Sequence, residues 1–210
     1  MSVPVSTWPL PALLTPPPPE RPHASVKLPA PQYMHARYYT DVTNAAAVLE
    51  RVIAGASAAE PFPACALINP AVACGFPTIV ASATTRALCA ERSPGGRRTH
   101  SLYSEILYNL HGGRGLSAAL KACGLAPGLR AVLAVIVTPD PTLDPEVLAA
   151  LDRGIAGTPT PVAAVRDAVD MPTVRAIWKL DGDGEAAEID SPEAALPYIL
   201  SSMSLKGYMS

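Results

Sequence analysis

The sequence predicts an α/β fold in which a small mixed sheet carries helices packed on it, in one helix-rich domain spanning residues 32–210. The first observation is composition: 49% of the 210 residues are hydrophobic and the mean hydropathy is +0.22, so the chain can bury a proper core. The second is the continuous apolar run Ala131–Val137, which is typical of a central strand covered on both faces. The third is the stretch 99–124, which has the spacing of two short amphipathic helices.

Residues 1–31 are expected to form a disordered tail that precedes the domain. They contain ten of the 24 prolines, including the run Pro16–Pro19, and this composition favours an extended, polyproline-like chain. Pro16, Pro19 and Arg21 also match the PxxPxR pattern of ligands for SH3-type domains. Because proline-rich tails meet that pattern readily by chance, a plain disordered extension is the favoured interpretation.

The first half of the domain is predicted to alternate strands and helices. Met34–Tyr39 is expected to be a strand, followed at Asp41 by the N-cap of a helix that Gly55 closes. Cys65–Ile68 is expected to be a second, brief strand, and Pro77 to open the next helix. The apolar stripe of the first helix consists of Ala45, Val48, Leu49, Val52 and Ile53.

The stretch 99–124 is the most regular signal in the chain. Ser101 is predicted to cap its first helix, and Gly112 to end that helix in a left-handed conformation. The second helix is predicted to stop at Gly124. The apolar sides that we expect to be buried consist of Leu102, Tyr103, Ile106, Leu107 and Leu110 in the first helix, and of Leu116, Ala119, Leu120 and Cys123 in the second.

After the central strand, the prediction is again a mixture of helices and a strand. Asp144–Pro145 is a strong helix start. Thr160–Val165 is expected to be a strand and Met171–Leu180 a helix. The last helix is predicted to begin at Ser191, and Pro197 inside it is expected to kink or restart it, because proline has no N–H to donate.

Charge and cysteine content narrow the class of function. The formal net charge of −2 and the pI near 6.1 exclude a uniformly basic nucleic-acid-binding protein, so any contact with RNA has to come from a local patch. The four cysteines, at positions 65, 74, 89 and 123, match neither a zinc-binding pattern nor a thioredoxin motif and are expected to be reduced. The longest apolar run is too short to cross a bilayer, so no membrane contact is predicted.

No catalytic constellation is visible in the sequence, and neither a metal site nor a cofactor is predicted. His100 and His111 flank the first helix of the stretch 99–124 at opposite ends, so they cannot share a metal ion. No GxSxG motif is present, and no cysteine neighbours a histidine. The alternative that stays open is a small cytosolic enzyme whose active site is assembled by the fold around Cys123 or His100.

One local basic patch is present within thirteen residues, and it consists of Arg86, Arg92, Arg97 and Arg98, with Glu91 among them. A solvated basic edge is the default interpretation of this patch, and a resting place for an RNA backbone is the alternative. Arg114 lies in the glycine-rich turn 112–115, beside free N–H groups at the start of a helix. A tight turn between helices explains that turn best, although the same groups suit a single phosphate.

Three segments stand out together in the middle of the chain. They are Ala66–Pro70 (ALINP), Arg98–Leu110, which contains the sequences RTHSL and SEILYNL, and Ala118–Leu125, which contains the sequences AALK and GL. These segments resemble the kinase-binding subunit of the KEOPS complex, the TPRKB family. The likeness extends with gaps from about Met34 to about Met203, and it is weaker in the closing part.

The resemblance implies a non-enzymatic subunit. Such a protein docks on the small atypical kinase/ATPase of KEOPS, contacts the other KEOPS subunits indirectly, and holds the single-stranded 3′ CCA end of tRNA, while another subunit transfers threonylcarbamoyl to the adenosine beside the anticodon. The resemblance also implies a location in the nucleus and cytoplasm, and a link to telomere maintenance in fungi-like relatives. The predicted tRNA-binding residues are Arg86, Arg92, Arg97, Arg98, Asn109 and Arg114, and the predicted kinase-binding residues are Tyr103, Leu107, Tyr198 and Met203.

Overall fold

The computed structural model shows a sheet with helices on both of its faces, and it describes residues 3–11, 32–57, 60–92, 96–180 and 189–206. The strands in these ranges are Ser6–Pro9 (β1), Tyr33–Thr40 (β2), Ala66–Ile68 (β3), Val132–Thr138 (β4) and Thr158–Thr160 (β5). The α-helices in these ranges are Ala45–Ala54 (α1), Thr78–Arg92 (α2), Leu102–Asn109 (α3), Leu116–Cys123 (α4), Pro145–Gly154 (α5), Met171–Trp178 (α6) and Pro192–Leu205 (α7). Short 3₁₀-helices are formed by Gly55–Ser57, Pro70–Val72 and Val162–Ala168. The predicted α/β fold, with helices packed on a small sheet, is confirmed, and no helix in the described part is long and apolar enough to cross a bilayer.

Every strand pair in the described sheet is antiparallel. The strands follow the order β1, β2, β4, β3, and β5 pairs with the edge of β2 that also carries β1. This corrects the expectation that the sheet is mixed. The helix α1 connects β2 to β3 as in a parallel crossover, but β4 lies between these two strands and runs opposite to both.

The central strand β4 is buried on both faces, as its continuous apolar sequence predicts. Leu133 and Val135 pack in a cluster with residues of α2, α3, α6 and α7. Ala134 and Ile136 belong to the cluster on the opposite face, with residues of α1 and α5. Because side chains alternate along a strand, one short segment thereby joins two helical layers.

The strand β1 lies in the range that the sequence assigns to a disordered tail. It pairs with β2, and the backbone N–H of Leu10, just after it, donates to the carbonyl of Gln32 at 2.8 Å. Residues 3–11 therefore belong to the folded domain, and the prediction of a tail over residues 1–31 is wrong for them. Residues 12–31, which include the PxxPxR pattern, lie outside the described residues.

The start of α1 differs from the prediction. Asp41 has a left-handed backbone conformation, with φ of 52°, and it does not cap the helix. Asn44 occupies the N-cap position. Its side chain donates to the carbonyl of Gly154 and accepts from the N–H of Ala156, both at 2.9 Å, so it ties α1 to the end of α5 instead of to its own first turn.

Two predictions for the second half of the chain also need correction. The strand β5 ends at Thr160, and the segment that follows it is a 3₁₀-helix over Val162–Ala168, not a strand to Val165. Pro161 separates the two and has no N–H with which to continue the ladder. The helix α7 runs across Pro197 without interruption, so the expected restart of the helix does not occur.

Gly112, in the turn between α3 and α4, does not have the left-handed conformation that we expect from the sequence. A Cβ atom at this position would lie 2.7 Å from the carbonyl oxygen of Ile177 and 2.9 Å from the ring of Trp178. The glycine is therefore needed because the turn packs closely against the end of α6, where no side chain fits.

Arg37 on β2 is a buried charge with a partner on the neighbouring layer. Its side chain is 3% exposed, and its guanidinium donates two hydrogen bonds to the carboxylate of Asp152 on α5, at 3.2 and 3.0 Å. The hydroxyl of Tyr39 donates to the same carboxylate at 2.7 Å. Paired bonds of this kind fix orientation as well as contributing energy, so the network holds α5 in place on the sheet.

The variant Asp152→Ala removes the carboxylate partner of the buried Arg37 guanidinium. It is expected to lower the free energy of unfolding by about 2 kcal/mol, because the carbonyl of Val3 remains as an acceptor and the side chain of Asp152 is itself 35% exposed. The ion pair Arg166–Asp167, with side chains 84% and 74% exposed, offers a matched control. Asp167→Ala is expected to change the free energy of unfolding by less than about 0.5 kcal/mol. Urea denaturation of both variants tests this, and an equal loss in the two would contradict the role given to the Arg37–Asp152 pair.

Candidate functional site

The helix α3 is placed by its own sequence and by the core. The side-chain oxygen of Ser101 accepts the N–H of Ser104 at 3.1 Å, and the N–H of Ser101 donates to the hydroxyl of Ser104 at 3.2 Å. This reciprocal capping box satisfies two N–H groups at the start of the helix. Ile106 is fully buried, and so is Leu110 directly after the helix. The cap at Ser101 is thus confirmed.

A buried carboxylate joins α3 to the segment that precedes it. Glu105 is 3% exposed, and its Oε2 accepts the backbone N–H groups of Arg98 and Thr99, each at 3.0 Å. Hydrogen bonds to a charged acceptor are stronger than neutral ones and offset the cost of burying the group. Residues 98 and 99 are therefore held against the helix.

One side of α3 forms the wall of an apolar groove. Tyr103 and Leu107, one helical turn apart, face Leu49, Val52 and Ile53 of α1 across a cavity of about 360 Å³. The cavity is completed by residues of β3 and α4. Because β3 is the edge strand of the sheet, the groove lies where the two helical layers meet at that edge. We call this the apolar groove.

The apolar groove leaves large hydrophobic side chains exposed to solvent. Ile53 is 76% exposed, Val52 is 42% exposed and Leu120 is 36% exposed. A cluster of exposed aliphatic groups around a concave surface is typical of a site of protein–protein contact.

The other side of α3 contributes to a small cationic pocket. Its volume is about 120 Å³, and its walls include the side chains of Arg86, Arg98 and Lys206. Glu105 is the acidic residue of the same wall, so three cations face one carboxylate. We call this the cationic pocket.

Lys206 is the most buried of the three cations, at 9% exposure. Its ammonium donates hydrogen bonds to the carbonyl oxygens of Tyr108 and His111, the latter at 2.7 Å, and lies 3.7 Å from the centre of the Tyr108 ring. Burial lowers the pKa of Lys206 to about 8, and the charges of Arg86 and Arg98 act in the same direction. Lys206 thus ties the end of α7 to the end of α3.

The two arginines of the cationic pocket are oriented by α3. Arg98 donates from Nη1 to the hydroxyl of Tyr108 at 3.2 Å. Arg86 donates from Nε to the side-chain oxygen of Asn109 at 3.4 Å. Asn109 in turn donates to the carbonyl of Glu105 at 2.9 Å. The positive charges are therefore held in place by the helix that also forms the apolar groove.

The predicted tRNA-binding residues separate into two groups in the structure. Arg86, Arg98 and Asn109 meet in the cationic pocket. Arg97 lies outside its walls and pairs with Glu91 at 3.4 Å. The exposed side chains of Arg92 and Arg114 also lie outside its walls.

The predicted kinase-binding residues are divided as well. Tyr103 and Leu107 line the apolar groove. Tyr198, on α7, is 39% exposed but does not line that groove. Met203 is 1% exposed and packs in the core, so we correct its assignment to a partner surface. A separate cleft of about 630 Å³ between β1, α2 and α7 includes Met203 in its wall.

Neither the part that Lys206 plays in this site nor the exposure of the end of α1 follows from the sequence patterns. Lys206 lies 98 residues from Tyr108 in the chain, and no local pattern links the two. Val52 and Ile53 belong to a stripe that predicts burial, of which only Ala45 and Val48 are buried. The apolar stripe continues to the end of α1, whereas the core buries only its first part. An apolar stripe that extends along the whole helix is thus the sequence feature that could have indicated a partner surface.

The enzyme alternative centres on Cys123 or His100. Cys123 is fully buried, and burial raises the pKa of its thiol to about 12. A buried, protonated thiol is a poor nucleophile. His100 is exposed. Within the described ranges, no three His, Cys, Asp or Glu side chains are grouped so as to hold a metal ion.

Comparison with known families gives a match to one whose members are described as kinase binding protein CGI-121, over residues 39–207. A comparison with curated proteins gives no match. The matched range includes both surfaces of α3 and ends just beyond Lys206, and it covers well over half of the 210 residues. The resemblance that the sequence shows is thereby confirmed: the chain belongs to the kinase-binding CGI-121 family, which is the TPRKB family.

Proposed function

We propose that this protein is a non-catalytic subunit of the KEOPS complex, and that it binds the atypical kinase/ATPase of that complex through the apolar groove. Membership of a kinase-binding family supports a kinase as the partner. The single observation that carries the choice of surface is Ile53, whose aliphatic side chain is 76% exposed at the rim of an apolar cavity.

The construction of the apolar groove suits an apolar surface of the kinase. Half-buried Tyr103 and Leu107 form one wall of it, and the hydroxyl-bearing residues Ser101 and Ser104 also line it. An apolar centre with polar groups at the margin is the usual anatomy of a protein interface. Full burial of an aliphatic side chain contributes about 1.5–3 kcal/mol, so covering Ile53 and its neighbours supplies a large part of the affinity.

The variants Ile53→Asp and Leu120→Asp are expected to weaken kinase binding by at least about 30-fold each, because covering a carboxylate with an apolar partner surface costs more than about 2 kcal/mol in desolvation. Leu205→Asp is the matched control. Leu205 is also an exposed leucine, at 55%, but it lies on α7 and does not line the groove. Calorimetric titration of the purified kinase with each variant measures the three affinities.

If both groove variants bind the kinase as tightly as the unaltered protein does, the kinase binds another surface. The same conclusion follows if Leu205→Asp loses as much affinity as the groove variants. Circular dichroism of each variant checks that the fold is retained. Ile53 is 76% exposed and Leu120 is 36% exposed, so neither belongs to the buried core and the fold is expected to be retained.

We propose further that the protein holds tRNA by the cationic pocket and the arginines beside it. Proteins grip single-stranded RNA with cations and stacking groups. Tyr108 is 4% exposed and Asn109 is 5% exposed, so the described surface favours phosphate contacts by Arg86, Arg98 and Lys206 over stacking on that tyrosine.

In this proposal the protein holds the single-stranded 3′ CCA end, and another subunit transfers threonylcarbamoyl to the adenosine beside the anticodon. The other KEOPS subunits are reached through the kinase. A location in the nucleus and cytoplasm, and a link to telomere maintenance, belong to the same proposal. The family resemblance supports both, and the expectation of reduced cysteines also supports the location.

Charge reversal at the basic edge tests the tRNA part. Arg97→Glu together with Arg98→Glu is expected to weaken tRNA binding by at least about tenfold, because two phosphate-attracting charges become repulsive. The affinity for the kinase is expected to stay unchanged. Gel-shift titration at low and at physiological ionic strength measures the effect on tRNA.

Arg130→Glu together with Arg153→Glu provides the control, since it makes the same change in net charge at exposed positions elsewhere. If both double variants bind tRNA as tightly as the unaltered protein, the basic edge is not the tRNA-binding surface. An equal loss in both would mean that net charge, and not this site, governs binding.

A further inference from the structure

We propose that the cationic pocket is a site for one phosphate group of a nucleotide or of an RNA chain, with Arg98 as its principal ligand and Arg86 and Lys206 as the other two cations. This inference rests on the tRNA part of the proposed function and deepens it. It replaces a diffuse basic edge with one enclosed site, and it adds Lys206, which no sequence pattern indicates.

The balance of charge in the cationic pocket favours an anion. Arg86, Arg98 and Lys206 are set against a single carboxylate, that of Glu105. The Oε2 of Glu105 already accepts two backbone N–H groups, and the ammonium of Lys206 bonds to two carbonyl oxygens, not to a carboxylate. The cationic pocket therefore carries more positive than negative charge, and a bound anion would stabilise the positively charged side chains.

Because Lys206 is buried, the excess of positive charge in the cationic pocket is energetically unfavourable. A bound phosphate would reduce this unfavourable energy. The ammonium lies 3.7 Å from the centre of the Tyr108 ring. The groups that act on its charge through space are Cys123, Arg86, Glu105 and Arg98. Burial and the two arginines destabilise its charged form. An anion placed among the three cations offsets the repulsion of the Lys206 ammonium by the two arginines.

The size of the cationic pocket limits what enters it. Its volume of about 120 Å³ equals roughly four water molecules at about 30 Å³ each. A tetrahedral phosphate fits such a space, whereas a whole nucleotide does not. The base and sugar of a ligand would therefore lie outside, across the exposed Arg98.

Arg98 has the geometry for the first contact with the ligand. It is exposed, while its Nη1 is oriented by the hydroxyl of Tyr108, so the guanidinium is both accessible and positioned. The planar fork of an arginine matches the oxygens of a phosphate in pairs. Arg97, the residue just before Arg98 in the chain, pairs with Glu91 outside the pocket.

The comparison of Arg98→Gln with Arg97→Gln separates an enclosed phosphate site from a diffuse basic edge. Both variants remove one positive charge at adjacent positions. We expect Arg98→Gln to weaken binding of a single-stranded RNA ending in CCA by at least about tenfold and to reduce the salt dependence of log K by about 1. We expect Arg97→Gln to weaken it by less than about threefold, and Arg86→Gln to fall between the two.

The full chain is titrated with inorganic phosphate, with cytidine monophosphate, with the CCA-ending oligonucleotide and with tRNA. Inorganic phosphate is expected to compete with the oligonucleotide, and Arg98→Gln is expected to weaken both. A monophosphate that binds as tightly as the oligonucleotide identifies a free nucleotide as the ligand, whereas much tighter binding of the oligonucleotide identifies the RNA backbone. Either result supports the phosphate site.

Equal effects of Arg97→Gln and Arg98→Gln, or an absence of competition by phosphate, would overturn the inference while leaving tRNA binding by the basic edge in place. Binding of phosphate and monophosphate without binding of tRNA would leave the phosphate site in place and contradict the tRNA part of the proposed function. Because Arg98 is exposed, its replacement is not expected to unfold the protein, and Arg130→Gln controls for the change in net charge.

Discussion

The buried carboxylate of Glu105 is the interaction on which the arrangement of the candidate site depends. By accepting the N–H groups of Arg98 and Thr99, it holds the segment before α3 against the helix and brings one arginine into the cationic pocket. Lys206 bonds to the carbonyl groups at the other end of the same helix. A helix of eight residues, too short to be stable alone in water, is thereby fixed at both ends by charged groups.

Fixing α3 in this way sets two surfaces of different chemistry back to back. Tyr103 and Leu107 lie on the side of the apolar groove, and Glu105, Tyr108 and Asn109 on the side of the cationic pocket. With about 100° between successive residues of a helix, these two sets point in roughly opposite directions. A kinase in the groove and an RNA at the pocket would therefore contact the same helix without contacting the same residues, as an adaptor between the two requires.

The parts of this structure that could be predicted from the sequence are those with local causes. The apolar run of β4 and the serine cap of α3 each carry their signal within a few residues. The strand β1 could not be predicted, because its partner β2 lies beyond a proline-rich segment that dominates the composition. Lys206 joins α3 only through the tertiary fold. The exposure of Val52 and Ile53 could not be predicted either. An apolar stripe predicts burial, but the same pattern occurs whether the side chains are buried by the core or by a partner.

A linkage measurement tests most directly whether α3 serves two partners at once. The affinity of a CCA-ending single-stranded RNA is measured for the protein alone and for the protein saturated with the kinase. Independent surfaces predict two dissociation constants within about threefold of each other, which corresponds to a coupling free energy below about 0.7 kcal/mol. Displacement of the RNA by the kinase would show that the two ligands compete for one surface and would contradict the account.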